Sequence, residues 1–190
     1  MSACLSHADI RNFEVALARA WHSSLVEIRP IRESDRQGYI DLYEATAAEG
    51  RWIGGELPVN HAELSARVDR ALTLDNVAIF VAEAQVDGVE AQIGHLGLVL
   101  SAGIVEFGMM VAPGHRGAGV GKLFLAELIS WAEQNDAHKV MLEVWPHNDR
   151  ARALYESAGF EIEGTLVKHY RRNNGELWDC LLMGLVLERK

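Results

Sequence analysis

The chain has 190 residues, with 18 Lys+Arg against 27 Asp+Glu and a formal net charge of −9 with histidine neutral; hydrophobic residues make up 49% and charged residues 24%. That length fits one compact domain able to bury most of its apolar surface, and 4 prolines without a low-complexity tract argue against a long disordered arm. The acidic balance, with no Lys/Arg block, speaks against a general nucleic-acid or anionic-membrane binder and accommodates a basic or neutral partner.

Cys4 and Cys180 are the two cysteines, too few for a disulfide scaffold, so a reducing compartment is expected. No CxxC or HExxH spacing occurs among the 2 Cys and 8 His, which removes the strong zinc signatures, and no metal is expected. No apolar run approaches the ~20 residues that cross a bilayer. Asp9, Arg11, Glu14 and Arg19 interrupt the stretch a signal peptide would need. The expectation is a cytoplasmic protein with neither a nucleic-acid nor a membrane partner.

Residues 1–24 are predicted to be a helical extension. Ser6 and Asp9 stand at capping-box spacing, Leu5 and Ile10 at staple spacing, and Ile10, Phe13, Leu17, Ala20 and Trp21 recur at helical intervals. Residues 25–190 are then expected to form a single domain. It starts with a strand over 25–31, followed by a helix capped by Ser34 with Gln37, striped by Tyr39, Leu42 and Tyr43, and stopped at Gly50. Residues 51–60, with Gly54, Gly55 and Pro58, read as a loop. Asn60 with Glu63 opens the next helix, with Val59 and Leu64 as its staple.

Strands over 77–83, 93–100 and 104–111 follow, joined at Asp87-Gly88 and at 101–103, which predicts an antiparallel meander ended by Pro113. A glycine-rich loop then leads into a long helix, roughly 119–135. A strand over 140–144 follows, then a helix over 148–158 with Gly159 at its end. A last pair of strands flanks Asn173-Asn174-Gly175. The order is β-α-α-β-β-β-α-β-α-β-β, an α/β fold with a mixed sheet and one strand–helix–strand crossover.

Residues 111–122 run Val-Ala-Pro-Gly-His-Arg-Gly-Ala-Gly-Val-Gly-Lys between a strand and a helix. Backbone N–H groups and a helix N-terminus can converge there on an anion, and glycine lets a phosphate approach closely. The segment is not a P-loop: five residues before Gly121 stands Arg116, and Lys122 is followed by Leu123. A dinucleotide fingerprint starting at Gly117 would need glycine or alanine where Lys122 stands.

What the segment does contain is Arg-x-x-Gly-x-Gly, on Arg116, Gly119 and Gly121. This resembles the pyrophosphate-binding loop of the GNAT N-acetyltransferases. Residues 148–160, Asn-Asp-Arg-Ala-Arg-Ala-Leu-Tyr-Glu-Ser-Ala-Gly-Phe, resemble that family's second segment, Asn…Ala…Leu-Tyr-x-x-x-Gly-Phe. The resemblance covers roughly 25–187 and implies a GNAT-like fold, a mixed central sheet with flanking helices, with the N-terminal helix as an addition.

It implies acetyl-CoA as co-substrate, held between two parallel strands that splay apart. The backbones of Met109, Met110 and Val111 would meet the pantetheine amides, and the N–H groups of Arg116, Gly117, Ala118, Gly119, Val120, Gly121 and Lys122 the pyrophosphate. Asn148 would cap its helix and contact the cofactor. Met110 would also polarise the thioester carbonyl.

An alkylammonium, with a reference pKa of roughly 10.4, must lose a proton before it attacks, and the departing thiolate must gain one. Tyr155, on the apolar face of Ala151, Leu154 and Ala158, is the candidate acid by the resemblance; from spacing alone, packing is the better explanation. Glu106, which interrupts an apolar strand, is the candidate base, with Glu143, Asp179 and Tyr170 as further polar groups near the expected cleft. Trp52 and its loop are expected on the acceptor side, either as a lid or as packing.

The implied activity is acetyl transfer to an amine by direct attack in a ternary complex. The acceptor is a small-molecule amine, or a protein N-terminus or lysine; a homodimer is common in the family. The alternatives are a non-catalytic acyl-CoA sensor and an O-acetyltransferase.

Overall fold

The structure, a computed structural model, describes residues 26–187. The helix expected within 1–24, and Cys4, lie outside the described residues. The elements run β1 (Glu27–Pro30), α1 (Arg36–Ala47), α2 (His61–Thr73), β2 (Val77–Val86), β3 (Val89–Ser101), β4 (Ile104–Val111), α3 (Val120–Gln134), β5 (Lys139–Val144), α4 (Asp149–Ser157), β6 (Glu161–Arg171) and β7 (Leu177–Val186). This is the order expected from the sequence.

Seven strands form one sheet in the order β1-β2-β3-β4-β5-β7-β6. Every pairing is antiparallel except β4 with β5, which α3 connects as a crossover. The expected tight turns are present: Asp87 and Gly88, Ala102 and Gly103 all have positive φ, as does Gly175 in the β6–β7 turn.

Two cores lie on the two faces of the sheet. On one, Phe124, Leu125, Leu128 and Ala132 of α3 are fully buried against Leu96, Leu98, Val105 and Val140. On the other, Tyr39 and Ile40 of α1 and Leu64 and Val68 of α2 cover Ile79 and Val81. Alternation along β4 sends Phe107, Met109 and Val111 to the first face and Glu106, Gly108 and Met110 to the second. The β-period therefore decides which side chains the acceptor side can use.

The caps follow sequence with one correction. The Asn60 side chain accepts from the Glu63 N–H at 3.1 Å, and that of Asn148 from the Ala151 N–H at 3.2 Å. Ser34, by contrast, lies in a short 3₁₀ turn, Glu33–Asp35, and α1 starts only at Arg36. Asp35 follows it as the formal N-cap but makes no cap bond to α1. Its carboxylate is committed to the buried Arg29, at 2.6 Å, and to the Arg32 N–H. Arg29 also pairs with Glu83, and this buried charge cluster fixes β1 to β2. No helix among the described residues is long and apolar enough to cross a membrane.

Candidate active site

The parallel pairing of β4 with β5 covers only Ile104↔Lys139, Val105↔Val140 and Glu106↔Met141. Beyond it, residues 107–111 pair with β3 on one side only, while 142–144 pair with β7 on the other. The two strands separate, leaving main-chain polar groups of 107–111 without a β5 partner. A cavity of about 830 Å³ occupies this gap and continues onto both faces.

At one end stands the glycine loop. Gly117 and Gly119 have φ of +82° and +90°, which only glycine adopts without cost. Lys122 and Leu123 return their N–H groups to the Gly119 carbonyl. Among the described residues no backbone hydrogen bond takes up those of Gly117, Ala118 and Gly119, which leaves them free to meet an anion before the start of α3. The Arg116 side chain is held elsewhere. Its Nε donates to the Val111 carbonyl at 2.8 Å, and its two Nη atoms grip Glu49 at 2.8 and 2.5 Å. Arg116 thus braces the loop against the end of α1, and it holds the Glu49 carboxyl below the usual range. Arg150 of α4 comes to the loop from outside it, its guanidinium lying where a Cβ on Gly117 would stand.

Met109, Met110, Val111, Val120, Gly121, Lys122 and Asn148 all line the cavity together with Gly117 and Gly119. A Cβ on Gly121 would stand 2.8 Å from the Leu154 side chain, so this glycine lets α3 and α4 close on each other. Tyr155 also lines the cavity, and it is 7% exposed. Its ring meets Phe107 edge-on at 5.7 Å. Burial raises its pKa above the ordinary value, which keeps the hydroxyl protonated, as a proton donor must be. Among the described residues nothing bonds that hydroxyl.

The carboxylates divide. Glu106 is exposed on β4 and does not line the cavity, whereas Glu143 of β5 does. The Tyr170 hydroxyl donates to Glu143, and the Cys180 thiol donates to it from 3.6 Å. Burial, with the Glu143 charge second, pushes that thiol up to about 12, so Cys180 is a neutral neighbour and no nucleophile. Asp179 instead accepts from the Lys168 N–H at 2.7 Å and stands off the cavity wall. Trp52 lines the cavity and donates to Glu49 at 2.8 Å. Sequence reasoning did not find His95, Arg67, Arg70 or Arg172. Each lies in an otherwise ordinary amphipathic stretch, where only the fold shows what it faces.

Residues 39–160 match the acetyltransferase (GNAT) family, and the chain belongs to it. Over 68 residues it is 37% identical to the N-alpha-acetyltransferase RimI of Mycobacterium tuberculosis, covering 36% of this chain and 41% of that protein. Over 79 residues it is 34% identical to the ribosomal protein bS18-alanine N-acetyltransferase of Escherichia coli, covering 42% and 53%. The aligned part is thus about half or less of the length of these curated relatives. The ribosomal-protein-alanine N-acetyltransferase structure from Brucella melitensis superposes with a TM-score of 0.75 at 25% identity, over 85% of this chain and 99% of that one. A phosphinothricin acetyltransferase from Sinorhizobium meliloti, in complex with AcCoA, shares the fold at a TM-score of 0.74 and 22% identity, over 85% and 88%.

Proposed function

We propose that this chain is an acetyl-CoA-dependent N-acetyltransferase, with residues 25–190 as one acetyl-CoA-binding domain, and that transfer occurs by direct attack of an amine in a ternary complex. The observation that carries this reading is the early end of the β4–β5 pairing, which opens one cavity from the glycine loop to Tyr155 and Glu143. The residues fit the co-substrate. The N–H groups of Gly117, Ala118 and Gly119, with Val120, Gly121 and Lys122 behind them, suit a pyrophosphate. The free edge of Met109, Met110 and Val111 suits an amide-bearing arm, and Asn148 borders the same space.

Acetyl-CoA supplies an acetyl group activated as a thioester. Met110 pairs with His95 in the ladder that also puts the Ala112 N–H on Ile93, so its own N–H faces β3. It is the free N–H of Met109 that polarises the carbonyl oxygen, as a preorganised donor does where charge develops. Glu143, in place of Glu106, receives the acceptor ammonium and takes a proton from it, and the neutral amine so formed attacks the thioester carbon. Its supports, Tyr170 and Cys180, fix the carboxylate without neutralising it. Tyr155 gives a hydrogen bond or proton to the sulfur as the C–S bond breaks.

The test is thiol release from acetyl-CoA with a panel of amino acids, polyamines, aminoglycosides and N-terminal peptides, with product masses read in parallel. The expected result is thiol release matched by an N-acetylated product. Acetyl-CoA binding without transfer would favour a sensor, and a product labile to hydroxylamine would favour O-acetylation.

A further inference from the structure

Five cationic side chains line the cavity, Arg67, Arg70, Arg116, Lys122 and Arg150, against a single carboxylate, Glu143. The local charge is therefore the reverse of the chain's −9. Glu49 neutralises Arg116, and Lys122 and Arg150 stand at the glycine loop, where phosphates are to bind. Arg67 and Arg70 stand elsewhere. They lie three residues apart on α2, on the face of the sheet that α3 does not cover.

Arg67 pairs with Glu63 at 2.6 Å and interacts with the Tyr39 and Tyr43 hydroxyls, and its guanidinium lies 5.5 Å from the centre of the Tyr43 ring. Arg70 forms no ion pair among the described residues. Next to them Tyr39 stacks on His95, with ring centroids 4.6 Å apart. His95 is 2% exposed, and among the described residues neither ring nitrogen has a partner. Both nitrogens are shut off from the open space, so the imidazole supports the Tyr39 ring by stacking and does not itself meet a ligand. The floor beside it is open: Gly97 and Gly108 face each other across β3 and β4, and a Cβ on Gly108 would meet nothing within 4 Å. What this end of the cavity lacks is an acceptor, and a carboxylate supplies two.

The size of the acceptor is limited by the roof. Arg172 donates to the Gly54 carbonyl at 3.1 Å, Asn173 bonds Glu56 and Leu57 at 3.0 and 3.3 Å, and His147 meets the Arg51 carbonyl at 3.1 Å. These bonds tie the loop after α1 to the β6–β7 turn and, through His147, to the β5–α4 connection. A polypeptide threaded between them would have to break them, whereas a small molecule would not.

We propose that Arg67 and Arg70, beside Tyr39 on its His95 support, form a carboxylate-binding subsite, so that the acceptor is a small-molecule amino acid with its amine at Glu143 and its carboxylate at α2. The proposal rests on the N-acetyltransferase reading and narrows it. A zwitterion matches a cavity that is negative at Glu143 and positive at α2, and Arg offers a planar pair of donors to a carboxylate.

The test is acetylation of amino acids and of their C-terminal amides at saturating acetyl-CoA, with a polyamine and a hexapeptide as comparators, by wild type, Arg70→Gln and Arg67→Lys. Acetyl-CoA affinity is measured by calorimetry on each protein. Wild type should prefer acid to amide by about 10–100-fold in kcat/KM, the range of a charged hydrogen bond. Arg70→Gln should remove most of that preference by raising KM for the acid, and Arg67→Lys should remove part of it, with acetyl-CoA affinity retained in both. Equal use of acid and amide, preference for the polyamine or the peptide, or no turnover of any amino acid by protein that binds acetyl-CoA overturns the proposal. Failure of wild type to bind acetyl-CoA would instead overturn the acetyltransferase reading beneath it.

Discussion

At the glycine-loop end of the cavity the groups proposed to meet an anion are main-chain N–H groups of one unbroken segment, residues 117–121. At the α2 end they are arginine side chains of α2, set against residues of α1 and β3 that lie between positions 39 and 95. The first end needs little beyond backbone conformation, which two glycines at positive φ secure. The second depends on packing, because Tyr39 and His95 hold each other only while α1 sits on the sheet. The two ends should therefore fail in different ways: the loop to one bulky residue, the α2 end to loss of a charge or a change of pH.

The largest effect is expected at the loop. Gly119→Glu puts a side chain and a negative charge at the anion position, on a residue whose φ of +90° already disfavours a Cβ. Acetyl-CoA affinity should fall by about 100-fold or more, read by calorimetry beside an unfolding curve that shows the fold is retained. Unchanged affinity would remove the loop from the site.

Next comes the boundary between the two ends. Glu143→Gln keeps an acceptor for Tyr170 but no longer takes a proton, and the chemical rate should drop by about 10²-fold. Glu106→Gln should leave that rate within about threefold, far below the same range, because its side chain is exposed off the cavity. The reverse ranking in single-turnover assays would return the base to Glu106.

The smallest effect concerns the packed end. Burial pushes the His95 imidazole down to about 3, whereas in the unfolded chain it titrates near its reference of roughly 6.5. Between those values the unfolded state binds more protons, so stability rises with pH. The contribution is complete above pH 6.5 and is lost as pH falls towards 3. Between pH 7 and 5 the loss is about 2 kcal/mol. Urea unfolding of wild type and His95→Leu at both pH values checks this, since the variant should lose less stability on acidification. Equal losses would mean that His95 does not stay neutral in the folded protein.

The same contrast explains what could be read in the sequence. The loop and the 148–160 segment were legible because their chemistry is local: glycine placement, an Asn148 cap, and Tyr155 one turn beyond Ala151. The element order was legible because strand and helix periods are local as well. The proposed choice of Glu143 over Glu106 was not, since both interrupt apolar strands and only the cavity opened where the β4–β5 ladder ends, which Glu143 lines and Glu106 does not, separates them. Ser34 misled for a related reason, because the distant Arg29 had already claimed the neighbouring Asp35. His95 looks like any polar residue in an alternating strand until α1 is laid over it.

The claim on which the account turns is that both ends of the cavity serve one acetyl transfer, with Tyr155 between them. Tyr155→Phe keeps the ring, its edge-on contact with Phe107 and nearly all of the packing, and removes only the hydroxyl. Single-turnover transfer from acetyl-CoA, measured with the best acceptor alongside thermal unfolding, reads the chemical step free of product release. The expected rate is lower by roughly 10²–10⁴-fold, with acetyl-CoA affinity and thermal stability little changed. A rate within about threefold of wild type, well short of that range, would contradict it and leave Tyr155 as a packing residue.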